Sequence, residues 1–78
     1  MNKKGYREMV RDIESACIYK IVDEYVKDDT AKEIIKLNLL HGISYTKIAD
    51  RLEEWISPRT IQNKMNEWMP LVLEKLKR

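Results

Sequence analysis

The sequence predicts an all-α fold, a small bundle of four to five helices, on three observations. Charged residues make up 36% of the 78 residues, while Gly and Pro number two each and Phe is absent, a composition that favours helices over sheets. Apolar residues recur at spacings of three and four along most of the chain, the period of a helix with one buried face. Helix start and stop residues punctuate that pattern at Thr30, Gly42, Ser44 and Ser57. A chain of this length holds one core, so residues 1–78 form a single domain. It buries only about 60% of its unfolded surface, which leaves few apolar side chains to line a ligand pocket.

The first element is read as one long amphipathic helix, about Arg7 to Lys27. Met9, Ile13, Ala16, Cys17, Ile21 and Tyr25 form one row, with Val10, Ile18, Val22 and Val26 beside it. This stripe is wider than one packed face requires. Two later helices cover it, or part of it meets a partner chain. Thr30 followed by Glu33 has the spacing of a capping box and opens a second helix with Ile34, Ile35, Leu37 and Leu40 on its apolar side. His41 and Gly42 close it, because Gly just past the last turn takes positive φ without penalty. Ser44 caps the next helix, with Ile48, Ala49 and Leu52 inward and Lys47, Asp50, Arg51 and Glu54 outward. Ser57 then caps a fourth helix with Pro58 at its first position, where the missing amide proton costs nothing. Ile61, Met65 and Trp68 anchor that helix over 58–68. Pro70 kinks the chain or restarts it as a final helix bearing Leu71, Val72 and Leu76.

Several classes of function find no support. Cys17 is the single cysteine, so no internal disulfide forms, and Met1 to Arg11 is too polar for a signal peptide. No apolar run approaches the roughly 20 residues that cross a bilayer. A soluble, cytoplasmic protein with no membrane partner is expected. His41 lacks a second His or a Cys to complete a metal site and reads as a helix terminus. Cys17 and His41 lie on different helices without a third partner, and no Gly-rich phosphate loop occurs, so neither an enzyme nor a cofactor is expected.

The net charge of +2 says less than its distribution. Residues 1–43 hold eight basic and eight acidic residues, and residues 44–78 hold seven basic against five acidic, which places the excess in the second half. Between Ser57 and Asn66 there are two basic residues, Arg59 and Lys64, and no acidic one, the balance a phosphate-facing surface requires. With Ile61, Met65 and Trp68 inward, Arg59, Thr60, Asn63, Asn66 and Glu67 turn outward, with Gln62 and Lys64 on the flanks. Amides pair bidentately with adenine, Arg with guanine, and the Thr methyl packs on thymine. The first helix, by contrast, presents Glu8, Arg11, Asp12, Glu14, Asp23 and Glu24. On composition alone such a polar face is as often merely solvated.

The run from Gly42 to Leu52, followed by Ile56, Ser57, Pro58, Arg59, Thr60 and Ile61, resembles the helix-turn-helix of sigma-factor region 4. It is also similar to the output domains of response regulators and to small phage-type transcriptional regulators. The resemblance covers about a third of the chain and places a helix-turn-helix at 43–68, with Ala49 where its helices cross. The spacing from Ala49 to Ser57 is two residues longer than the family pattern, and Glu53, Glu54 and Trp55 stand where that pattern has a Gly-containing turn. Glu53 and Glu54 are expected to point away from a duplex.

The resemblance implies sequence-directed binding of double-stranded DNA. Arg59, Thr60 and Asn63 would read bases, with Gln62 and Asn66 beside them. Lys64 would hold phosphate, and Lys47 and Arg51 would add backbone contacts. A homodimer through the first or last helix is expected, and RNA polymerase is a candidate protein partner. A terminase-small-subunit-like role, recruiting DNA for packaging, uses the same motif. A helical protein-interaction module built on Trp55, Trp68, Met69, Leu71 and Leu73 is the alternative from another class.

Overall fold

The computed structural model describes residues 5–52 and 56–77. Five helices follow in order: α1 (Tyr6–Met9), α2 (Ser15–Tyr25), α3 (Asp29–Leu39), α4 (Tyr45–Arg51) and α5 (Pro58–Leu76). No strand occurs among the described residues, and the all-α bundle expected from the sequence is the observed fold.

Local chemistry sets most helix boundaries. Ser44 Oγ accepts from the Lys47 amide at 3.3 Å and Ser57 Oγ from the Thr60 amide at 3.2 Å, each satisfying an amide that has no partner within its helix. Pro58 occupies the first position of α5. At the end of α3, Gly42 has φ of +68°. Its amide bonds the Asn38 carbonyl at 3.2 Å, the single bond of an αL cap, and that of Ile43 reaches the Leu37 carbonyl at 3.1 Å. Asn38, largely buried, tightens the same turn by donating Nδ2 to the Ile43 carbonyl at 3.0 Å.

Three expectations are corrected. In place of one helix over 7–27, the chain turns at Val10 to Glu14 and separates α1 from α2. A straight helix of that span would be about 30 Å long. The turn instead places Val10 in the core and α1 against α3. The cap of α3 is Asp28, whose carboxylate accepts from the Ala31 amide at 3.2 Å, so Thr30 lies inside the helix and forms no capping box. Pro70 neither breaks nor restarts the last helix, since α5 is continuous from Pro58 to Leu76. Met65 and Met69 before Pro70 and Val72 after it are fully buried. Their burial offsets the roughly 3 kcal/mol cost of an interior proline.

The core gathers Val10, Ile18, Val22, Val26, Ala31, Ile34, Ile35, Ile48, Ile61, Met65, Met69 and Val72. Helix α5 touches α2, α3 and α4, while α2 packs on α3 and α3 on α4. The molecule is flat, 35 × 33 × 20 Å. The wide stripe of the first segment divides: Val10, Ile18, Val22 and Val26 are buried, whereas Met9, Ala16 and Cys17 remain exposed. No described helix is long and apolar enough to cross a membrane. The expected orientation of Glu53, Glu54 and Trp55 falls outside the described residues.

Candidate nucleic-acid interface

Burial of Ile61 and Met65 at 0% exposure fixes the rotation of α5. Given that rotation, Arg59, Thr60, Gln62, Asn63, Asn66 and Glu67 are all exposed. The first three turns of α5 therefore present a guanidinium, a hydroxyl and three amides, with no carboxylate before Glu67. Thr60 Oγ1 lies 3.1 Å from Ser57 Oγ, which ties its side chain to the cap. Trp68 is half-buried, and its indole Nε1 is enclosed without a hydrogen-bond partner among the described residues.

Two residues of the expected set are bonded to other elements of the fold. Lys64 Nζ lies 2.6 Å from Asp28 Oδ2, with both side chains about 70% enclosed. This ion pair ties α5 to the start of α3. Its hydrogen bond is the largest influence on Asp28, whose pKa is lowered from the ordinary 3.8 despite partial burial. Asn66 Oδ1 accepts the Tyr6 hydroxyl at 2.7 Å. That bond joins α1 to the exposed side of α5. Arg59, Thr60, Gln62 and Asn63 remain together on one exposed strip.

Lys47 and Arg51, one turn apart on α4, are exposed and form no ion pair among the described residues. Several other described cations are occupied within the fold. Lys32 and Lys36 flank Asp23 at 3.8 and 3.6 Å. Lys36 also lies 4.1 Å from the Tyr19 ring centre, and Lys75 4.9 Å from that of Tyr25. Of the described cations with no such partner, Lys20 and Lys77 lie apart, whereas Arg7, Lys47, Arg51 and Arg59 sit on α1, α4 and the start of α5.

Sequence reasoning missed Tyr6, Arg7 and Asp28. Tyr6 bonds α5 from sixty residues away, and no local pattern announces such a contact. Asp28 did carry a signal, since Asp is as good a cap as Thr and precedes it by two positions. Tyr45, at the start of α4, has its pKa raised chiefly by burial and further by the Tyr6 phenol. The apolar patch considered for a protein-interaction module loses its centre, because Met69 is in the core and Leu71 and Leu73 are half-buried. Among the described residues no group of His, Cys, Asp or Glu is arranged to hold a metal.

No protein-family model matches this chain, and no curated protein or solved structure is recognisably similar to it.

Proposed function

We propose that the protein binds double-stranded DNA through a helix-turn-helix formed by α4 and α5, with the first turns of α5 in the major groove. The observation that carries this reading is the exposed strip Arg59, Thr60, Gln62 and Asn63 on a helix whose opposite side is locked by Ile61 and Met65. Base reading requires hydrogen-bonding side chains held on a rigid element, and this strip supplies them without a carboxylate. Mutual packing of α3, α4 and α5 supports the presentation of α5 as a helix-turn-helix recognition element. Arg59 and Asn63 contact base edges, the Thr60 methyl packs on thymine, and Lys47 and Arg51 hold phosphates. Transcriptional control is the use that fits a small domain of this kind.

The test is fluorescence anisotropy against pooled random duplexes across a salt series, followed by selection of a preferred site. Affinity falling steeply with salt is expected. Arg59→Ala should cost about 1 to 3 kcal/mol on the preferred site and less on random DNA. Equal losses on both would remove the base-reading role of Arg59, and no binding at low salt would remove the DNA-binding reading altogether.

A further inference from the structure

The side of the molecule next to the reading strip is closed by α1, and the closure brings a cation with it. Tyr6 donates its hydroxyl to Asn66 on α5 at 2.7 Å. Arg7, the next residue, lies over the turn between α3 and α4. A Cβ placed on Gly42 would sit 3.0 Å from Arg7 Nη2 and 3.2 Å from Cζ. The glycine therefore leaves room for the guanidinium at the point where the chain enters α4. Arg7 is exposed and pairs with no carboxylate among the described residues. The positive φ of Gly42 disfavours any other residue there, which keeps that room open.

These contacts form a continuous path. Asn66 lies one turn beyond Asn63 along the exposed side of α5. Tyr6 bridges from Asn66 to α1, and Arg7 continues to Gly42, two residues before the Ser44 cap that precedes Lys47. None of the residues of α1 is fully buried, although Tyr6 packs against the core and Val10, just after the helix, is part of it. The helix is fixed by these contacts, the Tyr6 hydroxyl bond and the seat of Arg7. Glu8, the one carboxylate of α1, is exposed and lies about 100° further round the helix from Arg7.

We propose that α1 is part of the DNA-binding surface and that Arg7 contacts a backbone phosphate flanking the groove read by α5. This rests on the DNA-binding reading and extends it to a segment outside the helix-turn-helix. The Tyr6 bond to Asn66 sets the position of that contact relative to the bases. A phosphate contact carries no sequence information and releases a counterion, so its signature differs from that of Arg59.

The experiment uses the full chain with Arg7→Gln, which removes the charge and keeps a polar side chain, together with Arg7→Lys and Arg59→Ala. Binding to the preferred duplex and to random duplexes is measured by anisotropy across a salt series, with thermal melting of each variant. Arg7→Gln is expected to weaken binding about fivefold at physiological salt on both duplexes. It should also make the slope of log K against log salt shallower by about 0.9, at an unchanged Tm, and Arg7→Lys should restore the slope. A wild-type slope for Arg7→Gln, in a protein that binds DNA and loses sequence preference on Arg59→Ala, overturns the contact and leaves the reading strip standing. No binding by the wild-type chain at low salt overturns both.

Discussion

At the scale of single residues, the two cations of the first turns of α5 have opposite fates. Arg59 faces solvent, while Lys64, flanking the same strip, is held by Asp28. The difference lies in their neighbours, because Asp28 at the cap of α3 meets the flank of α5 where Lys64 emerges. The pair gives the stability a defined pH dependence. A carboxylate whose folded pKa lies below its unfolded value contributes fully above the unfolded value and loses that contribution as pH falls through the folded one. Stability from this pair is therefore constant at neutral pH and declines on acidification from the ordinary carboxylate range, near 3.8, downward. Asp28→Asn keeps an acceptor for the Ala31 amide and removes the charge. It should lower stability at neutral pH by about 1 kcal/mol and flatten this part of the acid limb, as read by urea unfolding at a series of pH values. An unaltered acid limb would show that the pair makes no contribution.

Helices reveal where sequence patterns carry information and where they do not. The starts of α4 and α5 and the end of α3 are legible, because Ser44, Ser57 with Pro58, and Gly42 act on backbone groups within a few residues of themselves. The buried side of α5 is legible for the same reason, its period being local. The turn at Val10 to Glu14 is not, because Met9, Val10, Ile13 and Cys17 continue the helical spacing across it and neither Gly nor Pro marks it. Only the packing of Val10 and α1 on the rest of the bundle decides it. The candidate strip follows from rotation alone, whereas the bonds of Lys64 and Asn66 to other elements depend on partners 36 and 60 residues distant. Pro70 was read as a boundary from its local cost, which the burial of Met69 and Val72 overrides. Since α5 runs through it, Pro70→Ala restores a backbone donor to an existing helix. It should stabilise the protein by about 1 to 3 kcal/mol, measured as a raised urea midpoint. A neutral or destabilising result would contradict a helix that is regular on both sides of residue 70.

For the molecule as a whole, shape and charge bear on how copies would be arranged on DNA. Its broad face measures 35 × 33 Å, close to the roughly 34 Å between equivalent positions on successive turns of a duplex. Two copies on adjacent half-sites would therefore meet edge to edge, with the exposed Met9 and Tyr19 available to a neighbour. With Arg7, Lys47 and Arg51 on phosphates, one copy should bind with a log K against log salt slope of about −2.7, and a bound pair with about −5.4. The measured slope, taken with stoichiometry from sedimentation of the complex, distinguishes a monomer from a dimer on its site. A slope near zero would exclude phosphate contacts by these cations.

The central position of α5 has a consequence for how the protein comes into being. Ile61, Met65, Met69 and Val72 are its share of the core. The helices made before it are short, eleven residues for α2 and α3 and seven for α4, below the roughly 12 to 15 residues at which an isolated helix becomes even marginal in water. A nascent chain that has not yet reached Pro58 thus holds Ile34, Ile35 and Ile48 with no α5 to cover them. The helix that closes the core also carries the exposed strip, so a chain made only as far as α4 has neither.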